Sequence, residues 1–239
     1  MSSKAFRNLL LSLMLLTLFS CKKGKEDPFI SFHSRKARVA GEWNISTYTK
    51  EQSTIYAYPN GKTANLLFNQ DFGLVNYTET TSDTNNSSRV LNGKISQSHF
   101  HFDKSGNWSS VIEYYLYSPQ AVGGFYVSKF RVEEDGKWEF QGKKDGLKNK
   151  ESLLLKKENS NQFFYTYSTY LGTVVDSVAD STLTNYGNSP LPEVWKLIGL
   201  SNTRLKAQIS AESSFTSAVA GIAGTKVTTS DEISIELQQ

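Results

Sequence analysis

The sequence lacks the motifs of the commonest enzyme chemistries. None of its 239 residues forms part of a Gly-x-Ser-x-Gly nucleophile elbow or of a glycine-rich phosphate loop. A concentrated basic region is lacking too: the formal net charge is +3, and Lys and Arg cluster only in short runs at 22–25 and 143–150, as in solvated segments. The sequence therefore gives no support for an enzyme, and it lacks the basic stripe of a nucleic-acid-binding protein.

A hydrophobic run long enough for a transmembrane helix is also missing. Residues 9–19 are mostly apolar, but a membrane-spanning helix needs about 20 such residues, and Ser12 and Thr17 interrupt this run. Lys4 and Arg7 precede the run. A positively charged N-terminal region followed by a short apolar core is typical of a secretory signal.

Cysteine occurs once, and its position is the most informative feature of the chain. Cys21 ends the stretch Leu18-Phe19-Ser20-Cys21 directly behind the apolar core, with a small residue before the cleavage point. This stretch resembles the lipobox of bacterial lipoproteins; the alternative is an ordinary secretory signal in which Cys21 is incidental. The resemblance implies that residues 1–20 are removed as a signal peptide and that Cys21 becomes an acylated, palmitate-bearing N-terminus.

Lipidation at Cys21 would have three consequences. Each buried methylene of the acyl chains contributes about 0.8 kcal/mol to membrane affinity, so the membrane is the expected partner of the N-terminus. Lipoproteins that are retained in the inner membrane carry Asp directly after the cysteine, whereas this chain has Lys22 there, so the outer membrane is favoured. The sequence leaves open whether the protein faces the periplasm or the cell surface. No thiol remains, which excludes disulfides, cysteine-ligated metals and a cysteine nucleophile.

The composition changes along the mature chain. Residues 21–38 are rich in charged residues and are expected to form a solvated, lipidated tether. Residues 39–239 are expected to form one domain, because β-branched and aromatic residues dominate there and Gly, Asn, Asp and Pro recur at short intervals. Loss of Lys4 and Arg7 with the signal lowers the formal charge from +3 to +1.

Alternating apolar and polar residues predict two hairpins and eight further strands. The hairpins are expected to turn at 104–107 and at Glu134-Asp135-Gly136, because Gly, Asn and Asp accept tight-turn geometry. Such a meander suits a β-sandwich or a closed barrel. The strands are predicted at 96–103, 108–117, 125–133, 137–141, 43–48, 63–68, 74–80, 153–157, 163–170, 194–199, 204–209 and 233–237.

Three segments resemble the lipocalin-like lipoproteins of Gram-negative envelopes. Gly41-Glu42-Trp43 matches the Gly-x-Trp motif at the start of the first lipocalin strand, and 100–108 and 195–202 resemble a hairpin and a late strand of these proteins. The resemblance implies an all-β, antiparallel up-and-down β-barrel, lipocalin-like or calycin-like, of about 8–10 strands. It also implies that Trp43 plugs the closed end of the barrel and that Arg204 packs over it.

Three classes of function follow from this reading. The favoured one is a small apolar or amphipathic ligand bound inside the barrel, since an eight-stranded barrel has room for one such ligand; the sequence identifies none of its contact residues. The alternative is a non-catalytic envelope or surface protein whose barrel is filled and whose loops, such as 81–89 or 173–190, contact protein partners. An enzyme, the least favoured class, would need polar groups that converge in the cavity.

Two histidines on one predicted strand are the sharpest candidates for chemistry. His99 and His101 are two residues apart, so their imidazoles project side by side and could share a metal ion. Asp103 extends the same face, but it adjoins a turn, where Asp is common. No third ligand is evident nearby. We therefore expect solvent-facing or hydrogen-bonded histidines, with no metal, no cofactor and no catalytic residue.

Overall fold

The computed structural model describes residues 34–57, 60–69, 73–82, 87–119, 124–141, 152–170, 173–187, 189–217 and 225–239. Cys21, the expected signal peptide and residues 21–33 of the expected tether lie outside these ranges. Within them, no helix is long and apolar enough to cross a membrane. The elements are α1 (Arg35–Val39), β1 (Gly41–Ala57), β2 (Asn60–Asn69), β3 (Leu74–Ser82), β4 (Ser87–Phe102), β5 (Asn107–Pro119), β6 (Gly124–Phe140), β7 (Ser152–Tyr170), β8 (Thr173–Asn185), β9 (Leu191–Leu200), β10 (Arg204–Ser217) and β11 (Thr225–Gln238).

An antiparallel barrel of 8 strands is the frame of the protein. Around the ring, each strand pairs with the next in the order β1, β4, β5, β6, β7, β9, β10 and β11, and β11 pairs back onto β1. The direct contact between β1 and β4 joins residues 41–44 to residues 99–102. The all-β, up-and-down barrel expected from the sequence is confirmed, and it is compatible with a lipocalin-like fold.

The barrel widens away from the contact between β1 and β4, which marks its closed end. From residue 47 onward β1 pairs with β2, and the β2–β3 hairpin lies between β1 and β4. Strand β7 pairs with β9 over 152–157 and with β8 over 159–170. Among the described strands, β8 and residues 209–217 of β10 each pair on one side only. The wall of the wide end therefore has an unpaired seam between β8 and β10.

The hairpin turn predicted at Glu134-Asp135-Gly136 is wrong. Strand β6 continues through these residues and pairs with both β5 and β7. Gly136 lies at a β-bulge, and a Cβ atom on it would lie only 2.0 Å from the carbonyl oxygen of Lys156. This glycine therefore permits the close approach of two backbones and does not form a turn.

Segments predicted as separate strands or loops are more continuous than expected. The strands predicted at 153–157 and 163–170 are one strand, β7. Most of 173–190, expected as a contact loop, is strand β8. The loop expected at 81–89 is flanked by β3, which reaches Ser82, and β4, which starts at Ser87; the residues between them lie outside the described ranges.

The packed domain begins before the boundary expected at residue 39. The side chain of Ser34 caps helix α1 by accepting a hydrogen bond from the backbone N–H of Ala37 at 3.1 Å. Arg35, Arg38 and Val39 are buried. Residues 34–38, expected to end the solvated tether, are therefore part of the folded domain.

A buried carboxylate lies on the outer face of the sheet. Glu113 alternates with the inward-facing Ile112 and Tyr114, yet it is only 5% exposed. Its Oε2 atom lies 2.9 Å from Arg131 Nη1 and 3.0 Å from Lys129 Nζ, and Ser96 Oγ donates to its other oxygen. Burial alone would raise the pKa of Glu113, but the hydrogen bonds from Ser96, Arg131 and Lys129 outweigh it and lower the pKa to about 2.

Glu113→Gln is expected to lower the free energy of unfolding by up to about 3 kcal/mol at pH 7. The folded-state pKa of about 2 lies below the ordinary value of 4.5, so the ionised group stabilises the fold above pH 4.5 and loses this effect as the pH falls toward 2. Denaturant unfolding should show a difference from wild type that shrinks by more than half at pH 3. Glu232→Gln is a matched control at an exposed position. An equal loss of unfolding free energy at pH 7 and at pH 3 would contradict the lowered pKa of Glu113.

Candidate functional site

Aromatic side chains fill the closed end of the barrel. All four tryptophans are at most 4% exposed and belong to one core cluster with Phe100 and Phe102. Phe100 meets Trp195 edge to face with ring centroids 5.3 Å apart, Phe102 meets Trp138 in the same way at 5.8 Å, and Phe100 stacks on Phe102. This end is packed core, so a ligand site has to be sought nearer the wide end.

Trp43 lies at the closed end, but Arg204 does not cover it. Trp43 is fully buried, and its indole Nε1 donates to the carbonyl of Val39 at 2.7 Å. The side chain of Arg204 is 51% exposed and forms an ion pair with Glu236. Helix α1 carries a buried arginine, Arg38, whose Nη1 donates to the carbonyl of Leu200 at 2.5 Å. The resemblance to lipocalins implied that Arg204 packs over Trp43, whereas the arginines buried among the described residues are Arg35 and Arg38 of helix α1.

Charged side chains face into the barrel just beyond this core. Glu134 Oε1 lies 2.6 Å from Lys157 Nζ, and Asp231 Oδ2 lies 3.1 Å from Lys50 Nζ. Glu193 accepts a hydrogen bond from the indole of a core tryptophan at 2.5 Å. The register of the strands places all five residues on the same face as the core. The four paired side chains are 12–29% exposed, so they are partly desolvated inside the barrel.

Tyr48 joins this charged layer to the core. It packs against the closed-end cluster and also against the second apolar cluster. Burial is the main reason why the pKa of Tyr48 is raised above its ordinary value, and the nearby Glu193, Tyr114, Asp231 and Glu134 add to the shift. The phenol is therefore held neutral among three carboxylates from three different strands.

Strands β3 to β7 add an apolar wall to the wide end. The rings of Tyr114 and Phe130 stack with centroids 5.0 Å apart, and Phe164 lies 5.0 Å from Phe130 on the other side. Phe164 is 38% exposed, so the wall reaches solvent. The wall rests on buried residues of the second cluster, which are Val75, Leu91 and Leu116. The interior of the wide end is thus amphipathic, with paired charges beside aromatic rings.

The histidines singled out in the sequence do not form a metal site. His101 Nδ1 lies 2.5 Å from Glu42 Oε1, and His99 lies two residues away on the same strand. Asp103 accepts hydrogen bonds at 2.7 Å from the backbone N–H groups of Gly106 and Asn107, which lower its pKa well below the ordinary range. Asp103 therefore shapes the turn. Within the described ranges, no group of three or more potential metal ligands exists.

Sequence reasoning missed the inward-facing charges. Glu134 stood in a predicted turn, and Lys157 stood at the predicted end of a strand. A β-bulge reverses the alternation of β7 between Lys157 and Asn159, so the pattern of residues 153–157 does not continue through residues 159–170. The usable signal was acidic residues two positions from core aromatics, as Glu193 is from Trp195.

Comparison with known proteins identifies no relative of this chain. No family model, no curated protein and no solved structure matches it. Its function therefore has to be inferred from its own residues and their geometry.

Proposed function

We propose that this protein is a lipid-anchored, non-catalytic binding protein of the bacterial outer membrane that holds one small amphipathic molecule in the wide half of its barrel. The observation that carries the proposal is the layer of inward-facing ion pairs beside an aromatic wall. Ligand sites are typically apolar cavities with a few fixed polar groups, and this interior has both components. No cofactor is invoked.

The charged layer suits the polar part of such a ligand. Charges inside a barrel are costly unless they are paired, and the pairs of Glu134 with Lys157 and of Asp231 with Lys50 offset that cost. Paired groups keep hydrogen-bonding capacity that a polar ligand group could use. The apolar part would then pack against Tyr114, and the seam between β8 and β10 offers a lateral path from solvent.

The anchor is inferred from the sequence. Cys21 follows a short apolar core in the manner of a lipoprotein signal. Residues 22–33, of which five are charged, separate it from the domain at Ser34. A tether of that length would hold the barrel close to the membrane surface, where amphipathic molecules are concentrated.

The interior site is tested with a neutral fluorescent naphthylamine probe. Phe130→Ala is expected to weaken probe binding by about tenfold, because it removes the central ring of the aromatic wall. Phe125→Ala should leave binding unchanged, since Phe125 is 51% exposed on the outer face of the same strand. Circular dichroism checks the folding of both variants. Equal binding by both variants, or no binding by the wild-type protein, would count against the proposal.

Cys21→Ser is expected to release the protein from membranes. The substitution removes the acylated thiol, and with it an anchor worth about 0.8 kcal/mol per buried methylene. Cell fractionation should move most of the protein from the membrane pellet to the soluble fraction, and mass spectrometry should show loss of the acyl mass. Membrane association that persists in the variant would contradict the lipoprotein assignment.

A second candidate function rests on strand β8. Three large apolar side chains on this strand, Val174, Val178 and Leu183, are 54–74% exposed, and within the described sheet β8 pairs only with β7. Exposed edge strands with apolar side chains are templates for strand addition by another chain. An interaction protein would use this edge in place of the contact loops expected from the sequence.

A further inference from the structure

The outer face of β5 to β7 carries a block of four tyrosines, which we call the tyrosine platform. In the register, Tyr115 and Tyr165 lie on either side of Lys129, and Tyr117 and Tyr167 lie on either side of Val127. The residues of each pair are therefore two strand spacings apart, about 10 Å. Four half-buried phenol rings on a solvent-facing sheet form a preorganised aromatic surface.

The platform is held rigidly. Val127 at its centre is only 4% exposed although it points away from the barrel interior, so the surrounding side chains cover it. The rings of Tyr165 and Tyr167 lie 5.4 Å apart, and the ammonium group of Lys129 lies 5.5 Å from the centre of the Tyr115 ring. Little side-chain entropy would be lost when a ligand covers such a surface.

A cleft of about 670 Å³ adjoins the platform. Phe163, Tyr165 and Ala179 supply its apolar lining, and Phe163 is 41% exposed. The volume lies within the range of small-molecule sites, about 300–1,000 Å³. Most of its lining lies on the outer face, but Phe164 of the interior wall also lines it, so the cleft borders the interior site proposed above.

Four of the five charged residues that line the cleft are paired with one another, and the fifth is the acidic residue Asp180. Glu113 contacts both Lys129 and Arg131, and Nε of Arg131 donates to Glu133 at 2.8 Å. An anionic ligand would have to break one of these pairs and would also meet Asp180, whereas hydroxyl groups can share donors and acceptors without breaking a pair. The cleft therefore favours a neutral ligand with many hydroxyl groups over an anionic one.

We propose that the cleft and the tyrosine platform bind a neutral oligosaccharide. A sugar ring has an apolar C–H face, which packs on an aromatic ring, and a rim of hydroxyl groups, which needs both donors and acceptors. The platform supplies the aromatic surfaces, and the paired residues Glu113, Lys129 and Arg131 supply fixed donors and acceptors. This site does not require the interior ligand, because the tyrosine platform and the paired charges all lie on the outer face of the sheet.

Affinity electrophoresis of the purified full chain in non-ionic detergent tests the proposal. Gels containing starch, laminarin, xylan or mannan are compared with gels containing the acidic glycan polygalacturonate. At least one neutral glycan is expected to retard the protein, and calorimetry with the matching short oligosaccharide then tells whether free sugar suffices or a polymer is required. Retardation by polygalacturonate alone, or by none of the neutral glycans, would overturn the proposal.

Matched variants locate the site. Tyr165→Ala and Phe163→Ala are each expected to weaken glycan binding at least tenfold and to leave naphthylamine binding unchanged. Tyr126→Ala is the control, because Tyr126 is 52% exposed but points to the opposite face from the platform. If Tyr165→Ala does not fold, Phe163→Ala alone tests the location of the glycan site, because Phe163 is the more exposed of the two residues. Glycan binding that survives Phe163→Ala, or is lost in Tyr126→Ala, would overturn the assignment.

Discussion

Trp43→Ala is expected to lower the free energy of unfolding by about 3 to 5 kcal/mol. The indole is fully buried in the closed-end cluster, and its removal leaves a cavity that the surrounding side chains fill only in part. The variant also leaves the carbonyl of Val39 without the hydrogen bond that it accepts at 2.7 Å, which weakens the attachment of helix α1. Equilibrium unfolding in urea measures the loss.

Trp43→Phe separates the two contributions. It keeps most of the aromatic volume and removes only the N–H donor, so the loss should fall to about 1 to 2 kcal/mol. A loss below about 1 kcal/mol for Trp43→Ala would show that this ring does not fill the closed end.

Gly136→Ala is expected to lower the free energy of unfolding by about 3 kcal/mol or more. A Cβ atom at this position would lie 2.0 Å from the carbonyl oxygen of Lys156 and 2.9 Å from the backbone nitrogen of Glu158. Both are backbone atoms of β7, so the overlap can be relieved only by moving the strand. The β6–β7 pairing, which closes the ring, would have to separate locally.

Gly73→Ala is the control for this prediction. Gly73 has a φ of +60°, but a Cβ atom there would meet no atom within 4 Å. Its substitution should therefore cost only the strain of a left-handed alanine, about 1 kcal/mol. Thermal unfolding compares the stability of the two variants, and equal losses of stability would refute the close approach of the backbones at Gly136.

Alternation and turn chemistry predicted much of the barrel correctly. The first predicted hairpin is confirmed, because β4 ends at Phe102, β5 begins at Asn107, and Asp103 fixes the turn through local hydrogen bonds. Such local interactions are visible in sequence. The second turn failed because Gly136 serves a tertiary contact, and sequence does not distinguish this use of glycine from a turn.

The inward-facing charges escaped prediction for a geometric reason. Side chains alternate between the two faces of a strand only until a bulge inserts an extra residue and reverses the pattern. In β1 the pairing shifts between Ile45 and Thr47, so that Ile45 and Tyr48 both face inward. Lys50, two residues after Tyr48, therefore faces inward as well. Bulges arise from pairing with a neighbouring strand, which a single sequence does not reveal.

Native mass spectrometry of the chain without residues 1–21 is the most direct test of whether a small molecule binds inside the barrel. The protein is incubated with an extract of envelope lipids, and its intact mass is compared with its denatured mass. One small-molecule adduct per chain is expected in the wild-type protein and in Phe125→Ala, and its loss is expected in Phe130→Ala. A bare intact mass for the wild-type protein after incubation would contradict a ligand in the barrel.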